Sequence, residues 1–241
     1  MKIEGSVVLV TGANRGIGSA IAGELLARRA AKVYAGVRDP SSVDDARLVP
    51  VALDVTDAGR VAEVAKQLSD VHVVVNNAGI GHAATPLRAS LDDARAQLEV
   101  NYLGIVSMTQ AFAPVLAANG GGAFVNMLSV ASWVGVPILA TYSASKAAAW
   151  LFTNAARVEL KRRGTQVLAV HAGYVDTELT ARLDVDKIAP PVVATALLDA
   201  LEAGESEVVV DEFSRTVKAA LHDDLNLIYP GIEAQFEAAA A

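Results

Sequence analysis

The 241-residue sequence has no cysteine. That excludes a disulfide framework and a thiolate nucleophile. Histidine is scarce too: the four, at 72, 82, 171 and 222, are scattered without ligand spacing. They read as structural, and no metal site is expected. Charge is thin at 20% of residues and acidic in balance, with a net charge of −7, which argues against a nucleic-acid partner. Hydrophobic residues make up 53% of the chain, too many for disorder and enough for a large core. Yet no uninterrupted apolar run approaches the ~20 residues of a membrane helix, so no membrane partner is expected. The opening residues, Met1 to Ser6, run straight into a strand pattern and do not read as a signal peptide. A cytoplasmic location is the expectation.

What is present is alternation. Val7–Val10, Lys32–Val37, Val49–Leu53, Val71–Val75, Ala123–Leu128, Val167–Val170 and Glu207–Asp211 are short apolar runs that predict buried strands. Helical patterns lie between them. One follows Gly18, with Ile21, Leu25 and Leu26 on its apolar face. One spans about Arg60–Leu68 behind Thr56 or Asp57 as cap, and a long one about Leu91–Leu116 behind Ser90 or Asp92. Two more cover Tyr142–Arg163, ended by Gly164, and Pro191–Ala203. Gly120 to Gly122 reads as a turn, and from Phe213 a helical tail breaks near Pro230 and Gly231. Without a linker or repeat, this predicts one α/β domain over 1–241. Its core is a doubly wound parallel seven-stranded sheet with helices on both faces, a Rossmann sheet, and about 213–241 form a helical extension. Ligands of such sheets bind at the carboxyl ends of the strands.

The chemistry-bearing residues fall at those ends. Tyr142 and Lys146 stand four apart on a predicted helix and share a face. A free phenol titrates near ~10, and an adjacent cation favours phenolate. Bringing it to roughly 7 needs ~4 kcal/mol, after which the tyrosine could exchange a proton with an alcohol. Ser129 closes the fifth strand, where its hydroxyl can meet a substrate oxygen. Tyr-x-x-x-Lys alone is weak, and an ordinary surface pair is the alternative. Asn101 sits mid-helix, where asparagine competes for backbone bonds. It is either a satisfied core amide or the mark of a bent helix presenting a polar group. Thr11-Gly12-Ala13-Asn14-Arg15-Gly16-Ile17-Gly18 joins a strand to a helix, the context of a dinucleotide-binding loop. Gly12 permits the turn, Gly16 the approach of a pyrophosphate, and Gly18 the contact of helix with strand. Asn76-Asn77-Ala78-Gly79 follows the fourth strand. At the end of the second strand, where users of NAD place a carboxylate, stand Val37 and then Arg38. Arg38 and Arg15 predict a 2′-phosphate, hence NADP(H). The alternatives are an Arg38–Asp39 ion pair, or Asp39 itself as the ribose acid.

Together these residues resemble the short-chain dehydrogenase/reductase family from Ser6 to Asp211, in its NADP-preferring carbonyl reductase type. The thirteen-residue step from Ser129 to Tyr142 matches the family's spacing, which Ser132 does not. The resemblance implies a catalytic set of Asn101, Ser129, Tyr142 and Lys146. The tyrosine is general acid or base, the lysine lowers its pKa and holds the nicotinamide ribose, the serine polarises the substrate oxygen, and the asparagine holds a water. It further implies that Asp54 and Val55 contact adenine, that Asn77, Ala78 and Gly79 line the cofactor channel beside the glycine loop, and that Val175 and Thr177 hold the carboxamide. Two departures stand out: Ala172 where the family has proline, and the tail beyond Asp211.

The expected function is NADP-dependent interconversion of a ketone or aldehyde with an alcohol, on a small-molecule substrate. A catalytically idle cofactor-sensing protein would show a broken tetrad. A dehalogenase-like lyase would show arginine at Lys146. Substrate choice is expected in residues 178–190, a candidate lid, and at Gly81, His82, Trp133 and Ile138. Leu103, Val106, Trp150 and Phe152 leave apolar surface that predicts a homodimer or homotetramer.

Overall fold

A computed structural model describes residues 1–181 and 183–238. Its strands are β1 Val7–Thr11, β2 Lys32–Val37, β3 Val49–Ala52, β4 Val73–Asn76, β5 Gly122–Met127, β6 Thr165–His171 and β7 Glu207–Val209. All pair in parallel, in the order β3-β2-β1-β4-β5-β6-β7. This is the expected sheet, with strand ends moved by one or two residues. Gly122 belongs to β5 rather than to the preceding turn.

Residues of one strand alternate between two cores, as a pleated strand buried on both faces requires. Val8 and Val10 of β1 join the layer of α1 (Gly16–Ala27) and, later in the chain, α6 (Pro190–Ala203), with Ile21, Leu25, Val193 and Leu197. Val7 and Leu9 join the opposite layer. There α2 (Ala58–Gln67) is capped by the Asp57 carboxylate, which accepts from the Arg60 N–H at 2.9 Å. Prolines at the start of α6 and left-handed Gly204 after its end bound that helix.

The long helix is not uniform. It runs as α3 (Leu91–Leu98), a π-helical turn (Glu99–Leu103) and α4 (Gly104–Ala118). Ser90 is the cap, its hydroxyl accepting from the Asp93 N–H at 3.0 Å; Asp92 takes no part in that bond. By composition Leu91–Ala118 could cross a membrane, but Met108, Phe112 and Leu116 lie fully buried against the sheet, so it is a core helix here. After it comes α5 (Ala140–Lys161) on the same face. The tail forms α7 (Glu212–Ala220), α8 (Asp224–Leu227) and α9 (Tyr229–Ala238). The break falls at Ile228, and Pro230 lies in the first turn of α9, where its missing N–H costs no helical bond. The terminal alanines 239–241 lie outside the described residues. β1 and β4 are neighbours while β2 and β3 lie beyond β1, so the ligand crevice of this topology opens at their carboxyl ends.

Candidate active site

The glycine turn is held from beneath by β4's extension. The Thr11 hydroxyl accepts from the N–H groups of Asn77 and Ala78, each at 3.0 Å. The Asn77 amide donates to the carbonyls of Thr11 (2.9 Å) and Gly12 (3.2 Å), so it shapes the loop and does not face outward. Gly16 has φ +54°, a left-handed value that penalises side chains. At Gly18 a Cβ would collide with the Gly12 carbonyl and come within 2.5 Å of Asn77 Nδ2. Arg15 is the N-cap of α1 but makes no side-chain cap bond, and the first turn carries no acid. The leading N–H groups are therefore left for an anion. Ile17 anchors this turn on the core, and the Asn14 amide donates to the Ser42 hydroxyl at 3.2 Å.

Arg38 is exposed at the end of β2 and forms no ion pair among the described residues. Asp39 is turned away: it accepts from the Ser41 hydroxyl (2.7 Å) and N–H (2.9 Å), which hold its carboxyl below the ordinary range. The Arg38–Asp39 ion pair is therefore not formed. Asp54 accepts from the Thr56 N–H, which lowers its pKa, with Arg38 adding a weaker pull; the two therefore stand near one another. Val55 is buried against Gly104. Arg15 does not join Arg38, because its guanidinium pairs with Glu178 of the loop after β6. These uncapped N–H groups and the unpaired arginine suit a phosphorylated dinucleotide.

Across the crevice, the tetrad converges. Lys146 is buried and donates to the Met127 carbonyl at 2.8 Å, with Nζ 5.8 Å from the centre of the Tyr142 ring. A Cβ on Gly79 would lie 3.2 Å from Asn101 Oδ1 and 3.6 Å from Lys146 Nζ, which puts those two side chains on one spot. Asn101 sits in the π turn, so the helix is irregular there, and its side chain is a satisfied core amide. Its amide is fully engaged, accepting from Ile80 N–H (2.9 Å) and donating to Ile80 C=O (2.8 Å) and Ser145 Oγ (2.9 Å).

The expected fall in the Tyr142 pKa is not what this geometry produces. Burial pushes the phenol up, and the Ser129 hydroxyl beside it pulls more weakly the other way. The physical reason is that Lys146 faces the ring and a carbonyl, and its own pKa is lowered by burial to about 8.

The loop after β6 closes over the crevice. Val175 bridges Ile188, Asp176 N–H donates to Ile188 C=O at 2.9 Å, and Gly16 lies against the Thr177 methyl. Residues 178–190 hold one 3-10 turn, Glu178–Thr180; Arg182 lies outside the described residues. Leu179 and the Tyr142 ring both border Gly81. Ala172 does not loosen this loop, because Gly173 N–H donates to the Asp211 carboxylate at 2.8 Å.

The sequence profile described as short chain dehydrogenase matches residues 6–188. The chain belongs to the short-chain dehydrogenase/reductase family. A 3-oxoacyl-[acyl-carrier-protein] reductase of Synechocystis sp. is 35% identical over 196 residues, 76% of this chain and 79% of its own. A short chain dehydrogenase from Burkholderia cenocepacia in complex with NADP is 40% identical, covers 96% of this chain and 99% of its own, and superposes with a TM-score of 0.92. A family structure from Burkholderia phymatum in complex with NAD is 22% identical, with a TM-score of 0.84 over 94% of this chain, and shares the fold. This short-chain dehydrogenase/reductase is thus an oxidoreductase.

Several residues of this family member escaped the sequence reading. Thr11 carried a signal, a hydroxyl at a strand's end. Ser145, under Asn101, lay within the Tyr-Ser-Ala-Ser-Lys run. Glu178, Asp211 and His171 carried none, because their partners are remote in sequence.

Proposed function

We propose that this chain is an NADP-dependent oxidoreductase that interconverts a small ketone or aldehyde with its alcohol, with Tyr142 as general acid/base. The observation that carries the reading is the tetrad gathered beside an uncapped glycine-rich turn. A phenol is protonated near neutrality, and burial moves Tyr142 further that way, which suits donation to a developing alkoxide. Ser129 accepts the Ala131 N–H at 3.1 Å, and its hydroxyl stands beside the Tyr142 phenol, where a substrate oxygen would meet both. Lys146 holds the nicotinamide ribose and, through Asn101's main chain, a path for the proton. When bound, NADPH supplies the hydride for the carbonyl carbon.

The N–H groups at Gly16, Ile17 and Gly18 take the pyrophosphate, with Gly12 and Asn14 shaping the turn. Arg38 reads the 2′-phosphate. Asp54 and Val55 border the adenine, Asn77, Ala78 and Gly79 the channel, and Val175 and Thr177 the carboxamide. Arg15 reaches the phosphate only on leaving Glu178. The substrate side is bounded by Gly81, His82 and Leu179. A single cysteine-free domain with residues 213–241 as its extension, located in the cytoplasm, accords with this activity.

A homo-oligomer is part of the same proposal, with altered anchors. Leu103 is 41% exposed, whereas Val106, Trp150 and Phe152 are half-buried; Leu151 (63%) and Val158 (76%), one face of α5, lie outermost. Sedimentation of a clean monomer would remove this part. A panel of ketones and aldehydes, followed by NADPH absorbance, tests the activity. Tight NADPH binding with no turnover of any compound would favour a binding protein.

A further inference from the structure

We propose that His171 is a positioning residue for Ser129, holding that residue's main-chain carbonyl, and that Glu207 and Lys218 fix its imidazole from the carboxyl-terminal side. The proposal rests on the catalytic role of Ser129 given above.

Ser129 lies just past the last β5–β6 pair, Met127 with Val170, between Leu128 and Val130, whose N–H groups still donate to the Val170 and Ala172 carbonyls at 2.8 and 3.0 Å. Its polar groups find other partners. Its N–H donates to Ser132 Oγ at 3.1 Å and its hydroxyl accepts from Ala131 N–H at 3.1 Å. Its carbonyl lies 3.1 Å from His171 Nδ1, the last residue of β6. That oxygen also accepts from Ser132 N–H at 3.0 Å, so an N–H at His171 Nδ1 is its second donor and ties it to β6. Ser129 is thus held at both its N–H and its C=O, with its hydroxyl beside the Tyr142 phenol.

The imidazole is itself fixed. It is fully buried and stacked on Trp133, with ring centres 4.0 Å apart and 23° between planes. Its Nε2 has no hydrogen-bond partner, and the nearest acceptor, Glu207 Oε1, stands 3.5 Å away. The ring thus lies between two acceptors, and a neutral imidazole has one N–H to give. The shorter contact assigns it to Nδ1. Glu207 does not draw the proton across because it is paired with Lys218 of α7, which also lies 5.6 Å from the Trp133 ring centre. The charged groups around the ring are Glu207 from β7, Lys218 from α7, and Arg157 and Lys146 from α5. Burial, reinforced by the three cations, lowers the imidazole to about 4 and keeps it neutral. The tail therefore reaches the site through a chain of contacts, Lys218 to Glu207 to His171 to Ser129.

The test has two arms. Long-range proton–nitrogen NMR of the four histidines reads tautomer without turnover. His171 is expected as the Nδ1–H form, unchanged from pH 8 to pH 5. An Nε2–H form, or titration in that range, overturns the proposal. Lys218→Met should leave Glu207 unpaired beside the ring and bring His171 into that titration range; an unmoved His171 overturns the link to the tail. The second arm compares His171→Leu with His171→Asn, whose amide can place an N–H where Nδ1 stood. With a carbonyl compound found in the panel, His171→Leu should lower kcat by about 10- to 100-fold with NADPH affinity unchanged, and His171→Asn should restore most of it. Wild-type kcat in the leucine variant, or equal losses in both, overturns the positioning role. A wild type that reduces nothing sinks the proposed activity instead, and the NMR arm still decides whether the imidazole holds the Ser129 carbonyl.

Discussion

The two walls of the crevice are built from different materials. On the β1–β4 side the contacts are mostly backbone: Thr11 and Asn77 tie main chain to main chain, and Gly18 touches Gly12 with no room for a methyl. On the β5–β7 side, the parts are side chains from separate segments: Ser129 after β5, Tyr142 and Lys146 on α5, His171 on β6 and Asp211 after β7. One wall cannot tolerate added volume; the other can tolerate reshaping but not a lost functional group. The difference suits a crevice that holds one constant ligand on its first wall and meets variable substrates on its second.

The comparison breaks most sharply at Tyr142. Tyr142→Phe removes one hydroxyl from the second wall and leaves the first untouched. Turnover should fall by about 10²- to 10⁴-fold while NADPH affinity stays near wild type. Steady-state kinetics beside a cofactor titration reads both, and substantial residual activity would sink the assignment. Lys146→Ala should damage both quantities.

Gly18→Ala is the converse change, one methyl on the first wall. Because the obstacle is a backbone carbonyl, we expect a loss of about 3 kcal/mol in unfolding free energy together with weakened cofactor binding. A variant as stable as wild type in urea would show that this wall can yield.

The second wall should reveal itself through pH. The His171 imidazole is lowered to about 4 in the fold, below its ordinary 6.5. The unfolded chain takes up a proton as pH falls through 6.5, and the native chain does not until about 4. Stability from this group is therefore complete above 6.5 and declines across that window, by roughly 3 kcal/mol in all. Urea midpoints at pH 7 and pH 4 should differ by less in His171→Leu than in wild type. Equal pH dependence would mean that the imidazole is not held neutral.

The smallest expected effect lies at the rim of the first wall. Wild type should prefer NADPH to NADH by at least about tenfold in kcat/KM, or ~1.4 kcal/mol, and Arg38→Asp should erase or reverse that preference. Since Arg15 is paired with Glu178, Arg15→Ala should change the ratio less. Equal use of both cofactors by wild type would show that Arg38 does not read the phosphate.

The sequence alone determined the seven strands, their alternation with helices, the glycine turn and the shared helix face of Tyr142 and Lys146, while the resemblance added Asn101 and Ser129 to that pair. Each rests on local information: an apolar run of strand length, a glycine whose backbone no other residue matches, a four-residue step that puts two side chains on one helix face. Asn101 was half-legible, because an asparagine in an apolar helix signals a conflict without saying how it resolves. Only the tertiary structure decided the rest. It turned Arg15 toward Glu178, placed Gly173 on Asp211 and set His171 beneath Ser129. It also reversed the expected direction at Tyr142, since a pKa depends on burial and on where a neighbouring charge points, not on its spacing in sequence. These pairings join residues up to 163 positions apart, and no periodicity or local preference encodes a contact that exists only after the strands have paired.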